Sequence, residues 1–297
     1  MLRNLVIIPT YNEKENVIKI IDAVFSLEMP FHALIVDDGS PDGTAQLVKN
    51  KQITHSDKLH LIERKGKLGL GTAYITGFKW GVERDYDFIC EMDADFSHKP
   101  TDLARLVQAC TEGGGDVSVG SRYVHGGDVK NWSWDRILLS YCASWYVRLI
   151  TWMPVKDPTA GFVCYTRQVL ETIDLDKIRF IGYAFQIEMK FAAFSLGFKI
   201  KEIPITFADR VEGVSKMNTS IVSEALIGVF QMRWASLFNS YRRNNANTLL
   251  VKSEKYYNTF TIHYKNAHFL PRYIFLILYK RDSCLKTIPF CIFKHAI

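Results

Sequence analysis

Short apolar runs alternate along this chain with stretches whose apolar residues return at helical spacing. Leu5-Val6-Ile7-Ile8 and Ala33-Leu34-Ile35-Val36 are continuous apolar runs closed by turn residues, the signature of buried strands. Val82, Tyr86, Phe88 and Ile89 lead into a further short strand. Strands are expected near residues 5–8, 33–36, 59–62, 87–92 and 116–121, with helices between them. In the first interval Val17, Ile20, Ile21 and Val24 share one helical face. Strand-like and helix-like segments alternate from Leu5 to about Ser121, which predicts βαβ units, an α/β class and a mostly parallel central sheet flanked by helices. The chain has 297 residues, 48% of them hydrophobic, enough for one large core domain. It shows no internal repeat and no low-complexity linker.

The candidate chemistry sits where these strands stop. The fourth ends in Glu91-Met92-Asp93-Ala94-Asp95. On extended backbone the i, i+2 spacing puts Asp93 and Asp95 on one face. Two carboxylates so placed repel unless a cation lies between them, and a divalent cation with oxygen ligands usually also holds phosphates. A solvated turn is the plain alternative. The second strand runs into Val36-Asp37-Asp38-Gly39-Ser40-Pro41-Asp42-Gly43-Thr44. Gly39 and Gly43 supply turn geometry, and Asp42 or Thr44 can cap the following helix. The edge of an open α/β sheet beyond the strand C-termini is where ligands bind. Two Asp there suit a hydrogen-bond donor such as a nucleobase or ribose; a ligand-free capping turn is the other reading. The first strand closes with Pro9-Thr10-Tyr11-Asn12-Glu13. Tyr11 can stack on a base and Glu13 can accept from it, while Asn12 is equally suited to cap a helix beginning near Glu13.

Charge is distributed unevenly. From Asn245 onward eight Lys and Arg face Glu254 and Asp282, which equals the +6 of the whole chain, and residues 1–244 balance at 29 against 29. The basic character belongs to the tail, which argues against a nucleic-acid footprint on the main domain. The six cysteines, Cys90, Cys110, Cys142, Cys164, Cys284 and Cys291, form no Cys-x-x-Cys pair; a reduced, cytosolic chain is the simple expectation. The apolar run after Met1 ends at Pro9 and does not read as a signal peptide.

Taken in order, the Pro9–Glu13, Val36–Thr44, Asp93-Ala94-Asp95-Phe96-Ser97-His98-Lys99-Pro100 and Gly120-Ser121-Arg122-Tyr123 segments resemble the inverting, A-fold glycosyltransferases of family two. Trp132-Ser133-Trp134-Asp135-Arg136, Asp157-Pro158-Thr159-Ala160-Gly161-Phe162, Gly182–Met189 and Asp209–Met217 narrow the resemblance to dolichyl-phosphate (polyprenol-phosphate) mannose synthases. The likeness runs from about residue 3 to residue 240. It implies a catalytic domain over 1–240 with an A-type, Rossmann-like fold, and a C-terminal extension over 241–297 that resembles nothing recognised.

The resemblance also implies the chemistry. The donor is expected to be GDP-mannose, held by Pro9, Tyr11, Glu13, Val36, Asp38, Asp93, Ala94 and Asp95. The acceptor is expected to be a polyprenyl (dolichyl-type) monophosphate, which is already anionic and needs no strong protein base. Mg²⁺ or Mn²⁺ on Asp93 and Asp95, with Ser97 as a further candidate, would stabilise the leaving diphosphate. Asp93, Asp95, Arg122 and Arg136 are the catalytic candidates. Arg122, Arg136, Arg210 and Lys216 are the candidates for the acceptor phosphate, because an arginine fork donates two hydrogen bonds at once. The Lys65–Gly71 loop either lets Arg64 or Lys67 approach the nucleotide or only leads into the next helix. His98 has a helix start as an equally good account. Glu188 is expected to orient an arginine or a loop. A sister enzyme using UDP-glucose or another acceptor is the alternative; a scaffold without activity is disfavoured because Asp93 and Asp95 are both present.

No run approaches the roughly 18–20 apolar residues that span a bilayer. Peripheral contact at the cytoplasmic face of a membrane is therefore expected, with a small membrane-anchor subunit as a candidate partner. Ile137–Trp152 is either a helix that packs against the lipid chain or a buried core helix. The basic, aromatic tail, with Phe269, Tyr273, Phe275 and Tyr279, is a second candidate contact.

Overall fold

β1 (Asn4–Thr10) is apolar on both faces because it is covered on both. The computed structural model describes residues 2–182, 184–208, 219–237 and 240–243. From β1 the chain continues through α1 (Val17–Phe25), β2 (His32–Asp37), α2 (Thr44–Gln52), β3 (Leu59–Glu63), α3 (Leu70–Glu83), β4 (Phe88–Glu91), α4 (Asp102–Thr111) and β5 (Val117–Ser121). There follow β6 (Asp128–Lys130), α5 (Trp134–Thr151), β7 (Val163–Thr166), α6 (Arg167–Thr172), α7 (Ala184–Ser195), β8 (Ile200–Pro204), β9 (Thr206–Ala208) and α8 (Thr219–Ala235).

The central sheet has the order β3-β2-β1-β4-β7-β5-β8. β1, β2, β3 and β4 run parallel, as do β5 and β8. β7 is inserted antiparallel between β4 and β5. The expected mostly parallel sheet is therefore present, with one reversed strand. The strand order reverses direction about β1, between β2 and β4, the switch point where open sheets bind ligands.

Alternate residues of each strand feed two apolar layers. Leu5, Ile7, Leu34 and Val36 face Tyr74, Phe78 and Phe185 on one side. Val6, Ile8, Ala33 and Ile35 face the α1 residues Val17, Ile20, Ile21 and Val24 and the α4 residues Leu103, Leu106 and Val107 on the other. α3 lies close against the sheet: a Cβ at Gly77 would come within 2.7 Å of Ile7, and one at Gly81 within 2.8 Å of Ile89. That approach brings Tyr74, one turn earlier, beneath the end of β4. The described residues end at Arg243, and the expected extension from residue 244 onward lies outside them.

Candidate active site

Three neighbouring parallel strands end on the same edge, so their C-terminal turns form one rim. The donor-side turns are laced together by side chains. Asp37 is fully buried and accepts from Thr10 Oγ1 (2.9 Å), Ser40 N (2.9 Å) and Ser40 Oγ (2.6 Å). Ser40 Oγ accepts from Asn12 N, Thr44 Oγ1 from Glu13 N, and Asp42 from Lys14 N. Asp37 is thus a peg for the turn, which leaves Asp38 as the carboxylate at the rim. Asn12 has φ 59° and caps nothing; α1 begins at Val17, with Asn16 at its N-cap and Asn16 Nδ2 donating to Glu13 Oε2 (3.1 Å). Gly39 and Gly43 take the left-handed backbone expected of them, at φ 69° and 90°. Pro9 and Val36 are register partners, and Val36 is fully buried.

Arg64 holds Asp38. Its Nε donates to Asp38 Oδ1 at 2.5 Å, Nη1 to Thr72 Oγ1 at 2.6 Å and Nη2 to Gly69 O at 3.2 Å. The guanidinium that was a candidate for the nucleotide is therefore committed to a carboxylate and to its own loop. Lys67 Nζ lies 5.2 Å from the centre of the Tyr11 ring, so its charge covers the face that a base would stack on.

Asp93 and Asp95 follow β4 directly, but not on extended backbone. The strand ends at Glu91 and the chain turns at Ala94-Asp95, so a turn rather than strand alternation presents the two carboxylates. Phe96 then takes φ 59°, a left-handed conformation costly for a bulky residue. The turn lets Ser97 N donate to Asp95 Oδ1 at 3.0 Å. Tyr74 OH reaches Asp93 Oδ1 at 3.4 Å. Ser97 Oγ is buried and has no hydrogen-bond partner among the described residues. Among those residues no three His, Cys, Asp or Glu side chains gather into a metal site. The carboxylates of Asp93 and Asp95 offer hard oxygen donors of the kind that suit a divalent cation such as Mg²⁺ or Mn²⁺.

On the acceptor side Arg122 follows β5, as expected, and is clamped. Its Nε donates to Asp157 Oδ2 (2.7 Å), while Nη2 donates to Asp157 Oδ1 (2.6 Å) and Thr159 Oγ1 (2.8 Å). Burial alone would raise the Asp157 carboxyl, but the Arg122 charge and hydrogen bonds outweigh it and hold the group below its ordinary value. The same pairing holds Arg122 above its own, against burial. Aromatic rings surround the guanidinium at 5.3 to 5.7 Å: Tyr123, Trp132 and Phe207. Arg136, in the first turn of α5, lies 4.1 Å over Trp132. One indole therefore contacts both arginines. His98 is stacked 4.8 Å from Phe162 and edge-on to Phe207. Its burial lowers it to about 4, so the ring is neutral and serves as packing. Arg210 and Lys216 lie outside the described residues. β9, which leads toward them, is fixed beside the metal turn by Ala208 N donating to Ser97 O at 3.2 Å.

Glu188 orients backbone rather than an arginine head: its Oε2 accepts from Arg179 N and Phe180 N, and its Oε1 from Tyr241 OH. Four partners were not assigned from sequence: Tyr74, Asp157, Thr159 and Lys190. Lys190 had a readable signal, a lysine that shares the largely apolar and otherwise uncharged helix Ala184–Ser195 with Glu188 alone.

Residues 5–174 match the family described as glycosyl transferase family 2. The polyprenol monophosphomannose synthase of Mycolicibacterium smegmatis is 47% identical over 227 residues, covering 76% of this chain and 85% of that protein. The undecaprenyl-phosphate mannosyltransferase of Micrococcus luteus is 42% identical over 233 residues, covering 78% and 94%. Among solved structures, glucosyl-3-phosphoglycerate synthase of Mycobacterium tuberculosis with Mn²⁺, UDP and product superposes with TM-score 0.55 at 17% identity, over 78% of this chain and 80% of that one. A mannosyltransferase of Pyrobaculum calidifontis with GDP-Man and Mn²⁺ gives 0.50 at 17%, over 86% and 70%. At such identities the likeness speaks for the fold, an A-type glycosyltransferase fold, and for nothing finer.

Proposed function

The chain belongs to glycosyl transferase family 2, and from that premise we propose that it transfers mannose from GDP-mannose to a polyprenyl monophosphate with inversion, giving a polyprenyl β-mannosyl phosphate. The observation that carries this reading is the opposition of two sites on one sheet edge. The carboxylates Asp38, Asp93 and Asp95 lie beyond β2 and β4, and the arginines Arg122 and Arg136 lie beyond β5 and at the start of α5. The relatives named for mannose transfer to prenyl phosphates support the choice of sugar and acceptor.

The chemistry asks little covalent work of the protein. A phosphate near neutral pH is already a nucleophile, so positioning and charge control remain. Asp38, braced by Arg64, accepts hydrogen bonds from the donor's base or ribose, and Tyr11 offers the ring face opposite Lys67. Asp93 and Asp95 would hold a divalent cation, which would supply positive charge to the diphosphate leaving group. Tyr74 and the Ser97 amide orient those two carboxylates. The Nε–Nη2 edge of Arg122 is spent on Asp157, so Arg136, stacked on Trp132, is the arginine better placed to grip the acceptor phosphate. Arg210 and Lys216 are assigned to the same anion by their place in the family motif.

α5 supports a membrane-bound acceptor. Ser144, Val147 and Thr151 are buried, whereas Trp134, Leu138, Tyr141, Trp145, Leu149 and Trp152 are exposed and follow the helical repeat. The helix turns Ser144, Val147 and Thr151 inward and its aromatic residues to solvent, which supports the lipid-facing reading over that of a buried core helix. α8 adds exposed Ile227, Phe230 and Trp234, and Leu237 follows just beyond it. Such a face fits an interfacial helix, and Arg136 stands at its N-terminal end, where a lipid-linked phosphate would meet it. Among the described residues no helix is long and apolar enough to cross a membrane. The tail's expected membrane contact lies outside the described residues.

The test is to incubate the purified chain with detergent-solubilised polyprenyl phosphate, Mg²⁺ or Mn²⁺, and radiolabelled GDP-mannose beside radiolabelled UDP-glucose. Label entering the lipid fraction from GDP-mannose, and lost in Asp95→Ala, is expected. Label from UDP-glucose alone would reassign the donor.

A further inference from the structure

A lysine with no access to solvent lies behind the two halves of the site. Lys190 on α7 is fully buried. Its ammonium donates to Ala160 O at 2.6 Å, Gln186 O at 2.9 Å and Gln186 Oε1 at 3.4 Å. Ala160 belongs to the segment Asp157–Gly161, whose Asp157 and Thr159 grip Arg122. Gly161 lies against the same Gln186, whose Nε2 would stand 3.7 Å from a Cβ placed there. Val163, two residues beyond that segment in β7, is the register partner of Glu91, also fully buried, the last residue of β4 and two positions before Asp93. Both Glu91 carboxylate oxygens lack a hydrogen-bond partner among the described residues.

An ammonium is costly to bury, and a hydrophobic residue of similar volume is often neutral or stabilising in its place. Three features indicate what this one does. Its shortest bond is to a loop carbonyl, not to a carboxylate. That carbonyl belongs to the segment that sets Arg122. The strand that continues from that segment pairs, at Val163, with Glu91, the last residue of β4 before the Asp93–Asp95 turn. Resting on the functional reading above, we propose that Lys190 is a positioning residue, a buried strut that fixes the Asp157–Gly161 segment, and with it Arg122, relative to the Asp93–Asp95 turn. It touches no substrate; it sets the distance between the acceptor clamp and the donor carboxylates.

The test compares wild type, Lys190→Met and the double variant Glu91→Gln/Lys190→Met as full-length proteins. Three readouts are taken: transfer kinetics, calorimetric binding of GDP-mannose with Mn²⁺, and amide hydrogen exchange. Met keeps the length and loses the donor. The strut predicts that Lys190→Met lowers kcat/KM for polyprenyl phosphate by about tenfold or more, the scale set by a small misplacement of reacting groups, with donor affinity within about twofold of wild type. It predicts faster exchange in peptides covering residues 157–163. It also predicts that the double variant is no better, because neutralising Glu91 does not restore the bond to Ala160. Recovery in the double variant would reduce Lys190 to a counter-ion for Glu91 and overturn the proposal. Wild-type kinetics and exchange in Lys190→Met would do the same, as would a parallel loss of donor binding and transfer. Should Lys190→Met fail to fold, Lys190→Gln, a shorter side chain that keeps a donor, is read by the same criteria. If wild type transfers no mannose, the functional reading fails, and the exchange at 157–163 still decides whether the strut exists.

Discussion

Arg122 and Asp157 meet edge to edge, with Nε 2.7 Å from Oδ2 and Nη2 2.6 Å from Oδ1, and the Asp157 side chain is fully buried. Glu202 fixes the other end of this arrangement by accepting from Lys156 N and Asp157 N. Breaking such a pair leaves a buried charge without its partner. Asp157→Ala is expected to destabilise the protein by about 3–5 kcal/mol. Denaturant unfolding checks this, and a midpoint unchanged from wild type would show that Arg122 finds another partner.

The bond from Arg64 to Asp38 separates donor from acceptor binding. Arg64→Leu removes the brace and leaves the Asp38 carboxylate to rotate at the rim. KM for GDP-mannose is expected to rise roughly tenfold while KM for the polyprenyl phosphate holds. Steady-state kinetics with each substrate varied in turn will show whether the effect is confined to the donor.

His98 gives a pH dependence of stability with a definite sign. Its ordinary value is 6.5, and burial lowers it to about 4 in the folded chain. Between those values the unfolded chain binds a proton that the folded chain refuses. Its contribution is therefore full above 6.5 and is lost as pH falls toward 4. At pH 5 the loss is about 2 kcal/mol relative to pH 7. His98→Phe preserves a ring between Phe162 and Phe207 and is expected to remove that part of the decline. Unfolding free energies of both proteins at pH 7 and pH 5 provide the comparison; equal slopes would count against the assignment.

The outward face of α5 predicts a split between binding and chemistry. Trp145→Asp with Leu149→Asp is expected to weaken sedimentation with anionic vesicles by about tenfold or more. Transfer to acceptor embedded in vesicles should fall further than transfer to a detergent-solubilised acceptor. Vesicle binding equal to that of wild type would move the membrane contact elsewhere on the chain.

The parallel half of the sheet was legible because its strands are continuous apolar runs, and their closing turns carry residues with chemistry at fixed offsets. The rest depended on contacts that sequence distance hides. β7 follows directly on Asp157–Phe162, so its apolar residues read as part of a motif, and nothing local marks it as the antiparallel insertion between β4 and β5. Arg122 and Asp157 are 35 positions apart and Lys190 and Ala160 are 30; only the folded sheet makes them neighbours. Arg64 looked like a nucleotide contact because its loop is rich in glycine, yet the carboxylate that takes it lies 26 residues earlier. The same-face argument for Asp93 and Asp95 assumed extended backbone where the chain turns.

The most direct measurement is the anomeric configuration of the lipid product made from GDP-mannose by the full-length chain, read by NMR at the sugar C1. A β-linked mannosyl phosphate on the prenyl chain is the predicted result, since a single displacement inverts the α-linked donor. An α-linked product, or free mannose with no lipid conjugate, would contradict direct attack by the acceptor phosphate.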